Sequence, residues 1–309
     1  MLRVGYLGPE GTFCEQALLT QDDLAAGELV PLPTITDVID ATVSGEVELG
    51  VVPLENALEG AINVTLDTLT FDADVLIQRE IVIGVQLNLL GVPGAQLSDI
   101  KKVLSIPVAI AQCRSFLRKE LHGVEPVGAN STAEAARLLA ANPDTATAAI
   151  GTALAAEIYG LEVLAVDIED HPENQTRFGV LARDAIPAPT GHDKTTIVVF
   201  QKADEPGSLL SILQEFAARA INLTNLHSRP TKQGLGDYCF LIELEGHLSD
   251  ELVADCLRDL KSKQADVKFL GSYPAASPHG ESVRRDADAA WRRANDWLQE
   301  LRAQVPPGR

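Results

Sequence analysis

Cations are scarce at the start of this 309-residue chain. The first 180 residues hold nine Lys and Arg: Arg3, Arg79, Lys101, Lys102, Arg114, Arg118, Lys119, Arg137 and Arg177. Over the whole chain 44 acidic residues outnumber 25 basic ones, a formal net charge of -19. Such a surface repels phosphate backbones and anionic lipid, which argues against nucleic-acid and membrane partners. Cysteine is sparse too. Cys14, Cys113, Cys239 and Cys256 are scattered without CxxC spacing, so neither a disulfide framework nor a thiolate metal site is indicated and reduced thiols are expected. Long apolar runs are missing: the stretch Ile81 to Leu90 is broken by Gln86 and Asn88, well short of the about 20 residues needed to cross a bilayer. No charged-then-apolar leader precedes Leu2–Gly8, which reads as a first strand, so a cytoplasmic protein is expected.

What is present is a globular composition, 46% hydrophobic, long enough for about two domains. The clearest break is Arg183 to His192, with two prolines and a glycine. Before it, short β-like runs (Leu49 to Val52, Leu76 to Val85, Ala148 to Ile150, Leu161 to Asp167) alternate with helix-like ones (Glu15 to Gln21, Ala133 to Ala141, Ala153 to Tyr159). That alternation predicts an α/β domain with mostly parallel strands. After the break, Thr195 to Phe200, Ser208 to Ala220, Leu223 to Ser228, Asp237 to Leu244, Asp250 to Lys261 and Val267 to Tyr273 read as βαββαβ, the ferredoxin-like order. A further helix is expected over Val283 to Ala303, which carries Trp291 and Trp297.

A domain so poor in cations must hold an anion largely with backbone amides and hydroxyls. Four strand-to-helix junctions offer them: Gly8-Pro9-Glu10-Gly11-Thr12-Phe13, Ser105-Ile106-Pro107, Asn130-Ser131-Thr132 and Gly151-Thr152. Ordinary helix capping accounts for each one alone, and only their convergence on a crevice makes a site. The spacing GPEG fits neither a P-loop nor GxGxxG, which argues against a nucleotide.

Two segments are too particular for scaffold: Val52-Pro53-Leu54-Glu55-Asn56-Ala57-Leu58-Glu59-Gly60 and Asn174-Gln175-Thr176-Arg177-Phe178. Taken in order, GPEGTF, PLENALEG followed by Thr65-Leu66-Asp67, SIPVAIAQC, STAEAA and NQTRFGVL resemble the motif set of prephenate dehydratases, over nearly all of residues 1 to 182. Asp204 to Leu209 and Asn222 to Pro230 resemble the two effector motifs of the ACT domain found in these enzymes.

The resemblance implies a catalytic domain over 1–182 with two α/β lobes around a cleft, like type II periplasmic binding proteins. Lobe 1 would take about 1–76 and 165–182, and lobe 2 about 77–164, with chain crossings near Leu76 to Glu80 and Leu161 to Asp167. A linker (183–192), an ACT domain (193–274) and a C-terminal linker and helix (275–309) would follow. It implies decarboxylating dehydration of prephenate to phenylpyruvate, without cofactor or metal, in a homodimer or homotetramer regulated by phenylalanine at the ACT interface. Arogenate dehydratase and a non-catalytic amino-acid-sensing protein are the rival readings, and the TRF and PLEN segments argue against the second.

The expected catalytic residues are Thr176, Arg177 and Glu55. Thr176 is expected to donate a hydrogen bond to the departing hydroxyl, directly or through water, its group being too weakly acidic to act as a free acid. Arg177 either binds a carboxylate or pairs with Glu55 or Glu59, and Glu55 is either a protonated acid or structural. Gly11, Thr12, Asn56, Ser131, Thr132 and Phe178 are expected to bind substrate, and Gly207, Ser208, Leu209, Asn222, Leu223 and Thr224 the effector. Three departures bear on the chemistry: Ala57 stands where the family commonly has Ser, and Ile106 and Val108 flank the cleft proline in place of polar residues. His227 replaces the usual Glu of the second effector motif.

Overall fold

The computed structural model describes residues 1–202, 205–232, 234, 237–276 and 281–304, with side chains in the last stretch from 292 onward. Asp204 of the first effector motif, part of the C-terminal linker and the side chain of Trp291 therefore lie outside the described residues.

In chain order the elements are β1 (Arg3–Leu7), α1 (Phe13–Leu19), α2 (Asp22–Ala25), β2 (Glu28–Leu32), α3 (Ile35–Ser44), β3 (Leu49–Asn56), β4 (Gly60–Ala61), α4 (Asn63–Asp67), β5 (Leu76–Gly84), β6 (Asn88–Gly91), β7 (Lys102–Ser105), α5 (Pro107–Gln112), α6 (Arg114–Glu120), β8 (Glu125–Gly128), α7 (Thr132–Ala141), β9 (Thr147–Gly151), α8 (Ala153–Tyr159), β10 (Glu162–Ala165) and β11 (Gln175–Ala182). There follow β12 (Asp193–Phe200), α9 (Ser208–Ala217), β13 (Leu223–Pro230), β14 (Tyr238–Glu245), α10 (Glu251–Lys263), β15 (Asp266–Pro274) and α11 (Glu281–Ala303). Two compact units result: 1–68 with 81–181, and 69–80 with 182–309.

The first unit holds two sheets, one per lobe. The first runs β2-β1-β3-β11-β5 with β4 added to β3, and the second runs β10-β6-β9-β7-β8. Their hydrogen bonding is mixed, not mostly parallel: β1 pairs in parallel with β2 and β3, whereas β11 runs antiparallel to β3. In the second lobe β7 is parallel to β8 and β9, but β6 is antiparallel to β9 and β10. The antiparallel pair in the first lobe arises because the chain leaves that lobe and returns to it, inserting β11 beside β3. Because β5 belongs to the first sheet, the outward crossing falls at 85–87, later than the sequence suggested, and the return at 166–174.

Each lobe has its own core. Val4, Tyr6, Cys14, Leu18, Val51, Phe178 and Val180 fill the first, and Leu87, Leu89, Val103, Cys113, Ala148 and Ile150 much of the second. Helix starts follow the local sequence. Thr12, Thr34, Ser131 and Thr152 are extended N-caps whose hydroxyls accept the N–H three residues on.

The second unit is the expected βαββαβ, with strand order β13-β14-β12-β15. Ile197, Val199, Phe240 and Ile242 of the sheet pack against Ile212 and Phe216 of α9 and Val253, Cys256 and Leu260 of α10. Residues 69–80 also belong to this unit. Phe71 meets Phe200 edge to face at 6.4 Å, and Lys268 donates to the carbonyls of Thr70 (3.4 Å) and Ala73 (2.7 Å). Gly271 has φ +142°, and a Cβ there would stand 2.5 Å from the Ile77 carbonyl oxygen, so glycine is what lets this segment lie against β15.

Candidate active site

Antiparallel pairing of β3 with β11 sets Asn56 opposite Thr176 and Glu55 opposite Arg177, although some 120 residues separate them in sequence. Neighbouring residues of a strand point to opposite faces, so Thr176 with Asn56 and Arg177 with Glu55 occupy different sides of this strand pair. A bulge follows at once, between Arg177 and Phe178, a device often found where a strand re-aims a side chain beside a site.

The Asn56 amide is held at both ends. Its Oδ1 accepts the backbone N–H groups of Leu58 and Glu59, each at 3.0 Å, closing an Asx turn at the strand end. Its Nδ2 donates to Thr176 Oγ1 at 2.9 Å and to the Gln175 carbonyl at 3.3 Å. Thr176 is buried, and among the described residues no protein acceptor takes its hydroxyl proton. Asn174, two residues earlier, is 2% exposed with an Oδ1 that has no hydrogen-bond partner among the described residues. A buried acceptor in that state is unfavourable unless a ligand or water supplies a donor.

Across the strand pair, Arg177 Nη2 lies 2.9 Å from Glu55 Oε2, their side chains 15% and 37% exposed. Of the two roles open to Arg177, the structure shows the pair with Glu55. Glu59 instead accepts from Gln112 Nε2 of the second lobe, at 3.2 Å.

Several expected substrate contacts have other work. Gly11 is buried; its N–H donates to Glu15 Oε2 (2.5 Å) and its carbonyl accepts from Thr152 Oγ1 (2.7 Å). With φ +85° and a Cβ that would fall 2.8 Å from the Ala155 Cα, its glycine identity serves the close approach of α8. The Thr12 hydroxyl donates to the Leu7 carbonyl and, as the N-cap of α1, accepts from Glu15 N. Ser131 caps α7, accepting from Glu134 N, while the N–H of Asn130 just before it donates to Glu134 Oε2, a bond that holds the Glu134 carboxyl below its ordinary pKa. Thr132 is buried at the start of α7, and Ser105 donates to the Ile150 carbonyl. Phe178 is a correction of a plainer kind. It is 2% exposed in the core of the first lobe, out of reach of a ligand in the cleft.

The sequence reading missed the double anchoring of Asn56, the open acceptor of Asn174 and the Gln112–Glu59 bridge. Only the first left a trace, an Asn at the end of an apolar strand before a turn. No group of three or more His, Cys, Asp or Glu among the described residues is arranged to hold a metal.

In the second unit Gly207 caps α9 in the left-handed region, φ +95°, and Ser208 Oγ exchanges hydrogen bonds with the backbone of Glu205. Lys202, Glu205, Pro206, Gly207, Ser208, Ser211, Lys263 and Gln264 line a cavity of about 520 Å³. Leu209 packs against the core. Asn222, Leu223 and Thr224 do not line this cavity; Thr224 donates to Glu243 on the neighbouring strand.

Fold and site together define a two-lobed α/β unit with a buried polar cluster where β3 meets β11, joined to a ferredoxin-like βαββαβ unit. Comparison with known proteins sharpens this. Residues 4–186 match the family model described as prephenate dehydratase, and residues 195–262 that of the ACT domain. The chain belongs to the prephenate dehydratase family. It is 38% identical to a prephenate dehydratase of Mycolicibacterium vanbaalenii, over 98% of this chain and 99% of that protein. Its fold superposes on the crystal structure of the Arthrobacter aurescens prephenate dehydratase in complex with L-Phe with a TM-score of 0.90 and 38% identity, covering 97% and 99% of the two chains. A solved structure described as GqqA, a novel type of quorum quenching acylase, is 30% identical with a TM-score of 0.79, covering 89% of this chain and 98% of that one.

Proposed function

We propose that this chain is a carbon–oxygen lyase that converts prephenate to phenylpyruvate, and that Thr176 hydrogen-bonds the hydroxyl that leaves. The observation that carries the assignment is the Thr176 hydroxyl itself: its oxygen is occupied by the Asn56 amide, so its own proton is directed to something other than protein. In the reaction the ring C–O bond breaks with its electron pair going to oxygen. The bond between the ring and its carboxylate breaks as well, and that pair completes the aromatic ring. The prephenate dianion plus one proton from solvent thus gives the phenylpyruvate anion, carbon dioxide and water. Charge grows on the departing oxygen, and a fixed donor in a buried position stabilises it more in the transition state than in the ground state. Asn174, in the turn that leads into β11, carries a buried Oδ1 without a partner among the described residues, and we assign it as the acceptor for the remaining proton of that hydroxyl. Glu55 and Arg177 act as a pair that holds the end of β3 to β11.

Phenylalanine is the proposed effector, bound between chains of a homo-oligomer. Support comes from the separation of the two effector motifs within one chain, since the cavity at Gly207 and Ser208 lacks a wall from Asn222 to Thr224. The L-Phe complex of the Arthrobacter relative points the same way. Four buried free cysteines suit a reducing cytoplasm.

The test is to incubate pure protein with prephenate and with arogenate, following phenylpyruvate and phenylalanine, with and without added phenylalanine. Turnover of prephenate, slowed by phenylalanine, is expected. Turnover of arogenate alone would reassign the substrate, and turnover of neither would remove the enzymatic reading.

A further inference from the structure

We propose that Asn56 is the positioning residue that decides which way the Thr176 hydroxyl donates, an inference that rests on Thr176 being the donor to the departing oxygen. Asn56 stood among the expected substrate contacts, but both ends of its amide are taken by protein. The Asx turn fixes the amide's orientation. Leu58 N–H and Glu59 N–H are donors only, both 3.0 Å from the same atom, so that atom is the oxygen and the NH₂ group faces Thr176. An NH₂ group cannot accept. The 2.9 Å contact therefore has a single polarity, with the amide donating and the hydroxyl oxygen accepting. A threonine hydroxyl turns about its Cβ–Oγ bond, and this contact removes the rotamers that would aim its proton at residue 56. Because among the described residues no protein group takes that proton, it remains for the ligand.

The substitution Asn56→Asp tests this with almost no change of shape. A carboxylate accepts from Leu58 N and Glu59 N as the amide oxygen does, so the Asx turn survives. The atom facing Thr176 is then an acceptor, and the hydroxyl donates to it instead of to substrate. Threonine stays in place with its hydrogen bond reversed. Protonation of the new carboxyl restores a donor, so the defect should fade as pH falls.

The experiment compares wild type, Asn56→Asp, Thr176→Ala and the double variant, each as the full chain with its melting curve recorded. At pH 8 kcat of Asn56→Asp should fall by about 100-fold, the size of a lost oriented donor, with KM changed by less than about threefold. Relative to wild type, its kcat should stay level while the carboxylate form carries the turnover and then climb by up to about tenfold per pH unit over the last two or so units above the carboxyl pKa. In the Thr176→Ala background the same substitution should add little, since it acts through the missing hydroxyl. If Thr176→Ala keeps wild-type turnover, the donor assignment fails and this inference with it. If Thr176→Ala is crippled while Asn56→Asp is not, the inference alone fails. Additive losses in the double variant, a pH-independent defect, or KM rising in step would make Asn56 a structural or substrate-contacting residue and overturn it.

Discussion

Lys194 and Glu80, 114 residues apart, form an ion pair at 3.0 Å whose side chains are 12% and 1% exposed. Glu243, 5% exposed, shares the same ammonium at 3.1 Å. Two carboxylates are thus buried around one lysine, and the pairing ties residues 69–80 to the sheet of the second unit. Lys194→Met would leave both acids without this counter-charge, a loss of about 3 kcal/mol or more, because removing one member of a buried pair strands the other. Differential scanning calorimetry should show a lower Tm, by on the order of 10 °C. An unchanged Tm would mean that the pair is replaced by water.

The same cluster reaches the second effector motif, since Thr224 donates to Glu243. Replacing Thr224 by Val removes that donor from a buried carboxylate and alters the start of β13, at Leu223 and next to Asn222. With a coupling of about 1–3 kcal/mol between effector and catalysis, the phenylalanine concentration for half inhibition should rise at least about fivefold. Dose–response curves with prephenate read this directly, and coincident curves for variant and wild type would separate Thr224 from regulation.

Thr176→Ala should lower kcat by about 100-fold or more, with an unchanged far-UV spectrum, whereas Thr176→Ser should retain most of the activity because it keeps an oxygen for Asn56 and a proton for the ligand. Steady-state kinetics on the two variants decide it.

Burial pushes the thiols of Cys14, Cys113 and Cys256 up to about 12, and Cys239 is buried as well. Thiolate is the reactive form, so near pH 8 the folded protein should react with a disulfide reagent at a negligible rate. Four thiols should appear only on denaturation. Rapid labelling of even one in the native state would contradict this burial.

The βαββαβ run of the second unit was legible to within three residues at each element boundary, because its strands and helices carry clean periods and its turns fall at Gly207 and near Asn222. Helix capping was legible as well, at the junctions that hold Thr12, Ser131 and Thr152. Depth was not. Phe178 shares the side of β11 on which Thr176 lies, but one step further in, where it joins Val4, Tyr6 and Cys14 in the core of the first lobe. Alternation reports the face of a residue and says nothing of what lies over it. Allegiance was hidden too. Residues 69–80 read as the end of a lobe, and only the packing of Phe71, Ile77 and Glu80 in the second unit assigns them there. A fragment ending near Ala185, attractive from sequence as an effector-blind enzyme, would strip that segment of its cover, so point substitutions at Thr224 are the better probe.

Position 176 lies on the last strand of the catalytic unit, and β11 occupies an inner place between β3 and β5. During synthesis the first lobe therefore waits with a gap in the middle of its sheet until the second lobe has been made. Asn56 is on hand long before its partner leaves the ribosome. Closing a gap between segments so distant in sequence is slow. On the role proposed for Thr176, the step that finishes the fold of the first lobe is also the step that creates its chemistry, so a chain stalled short of residue 175 would carry the loops of an enzyme and none of its turnover.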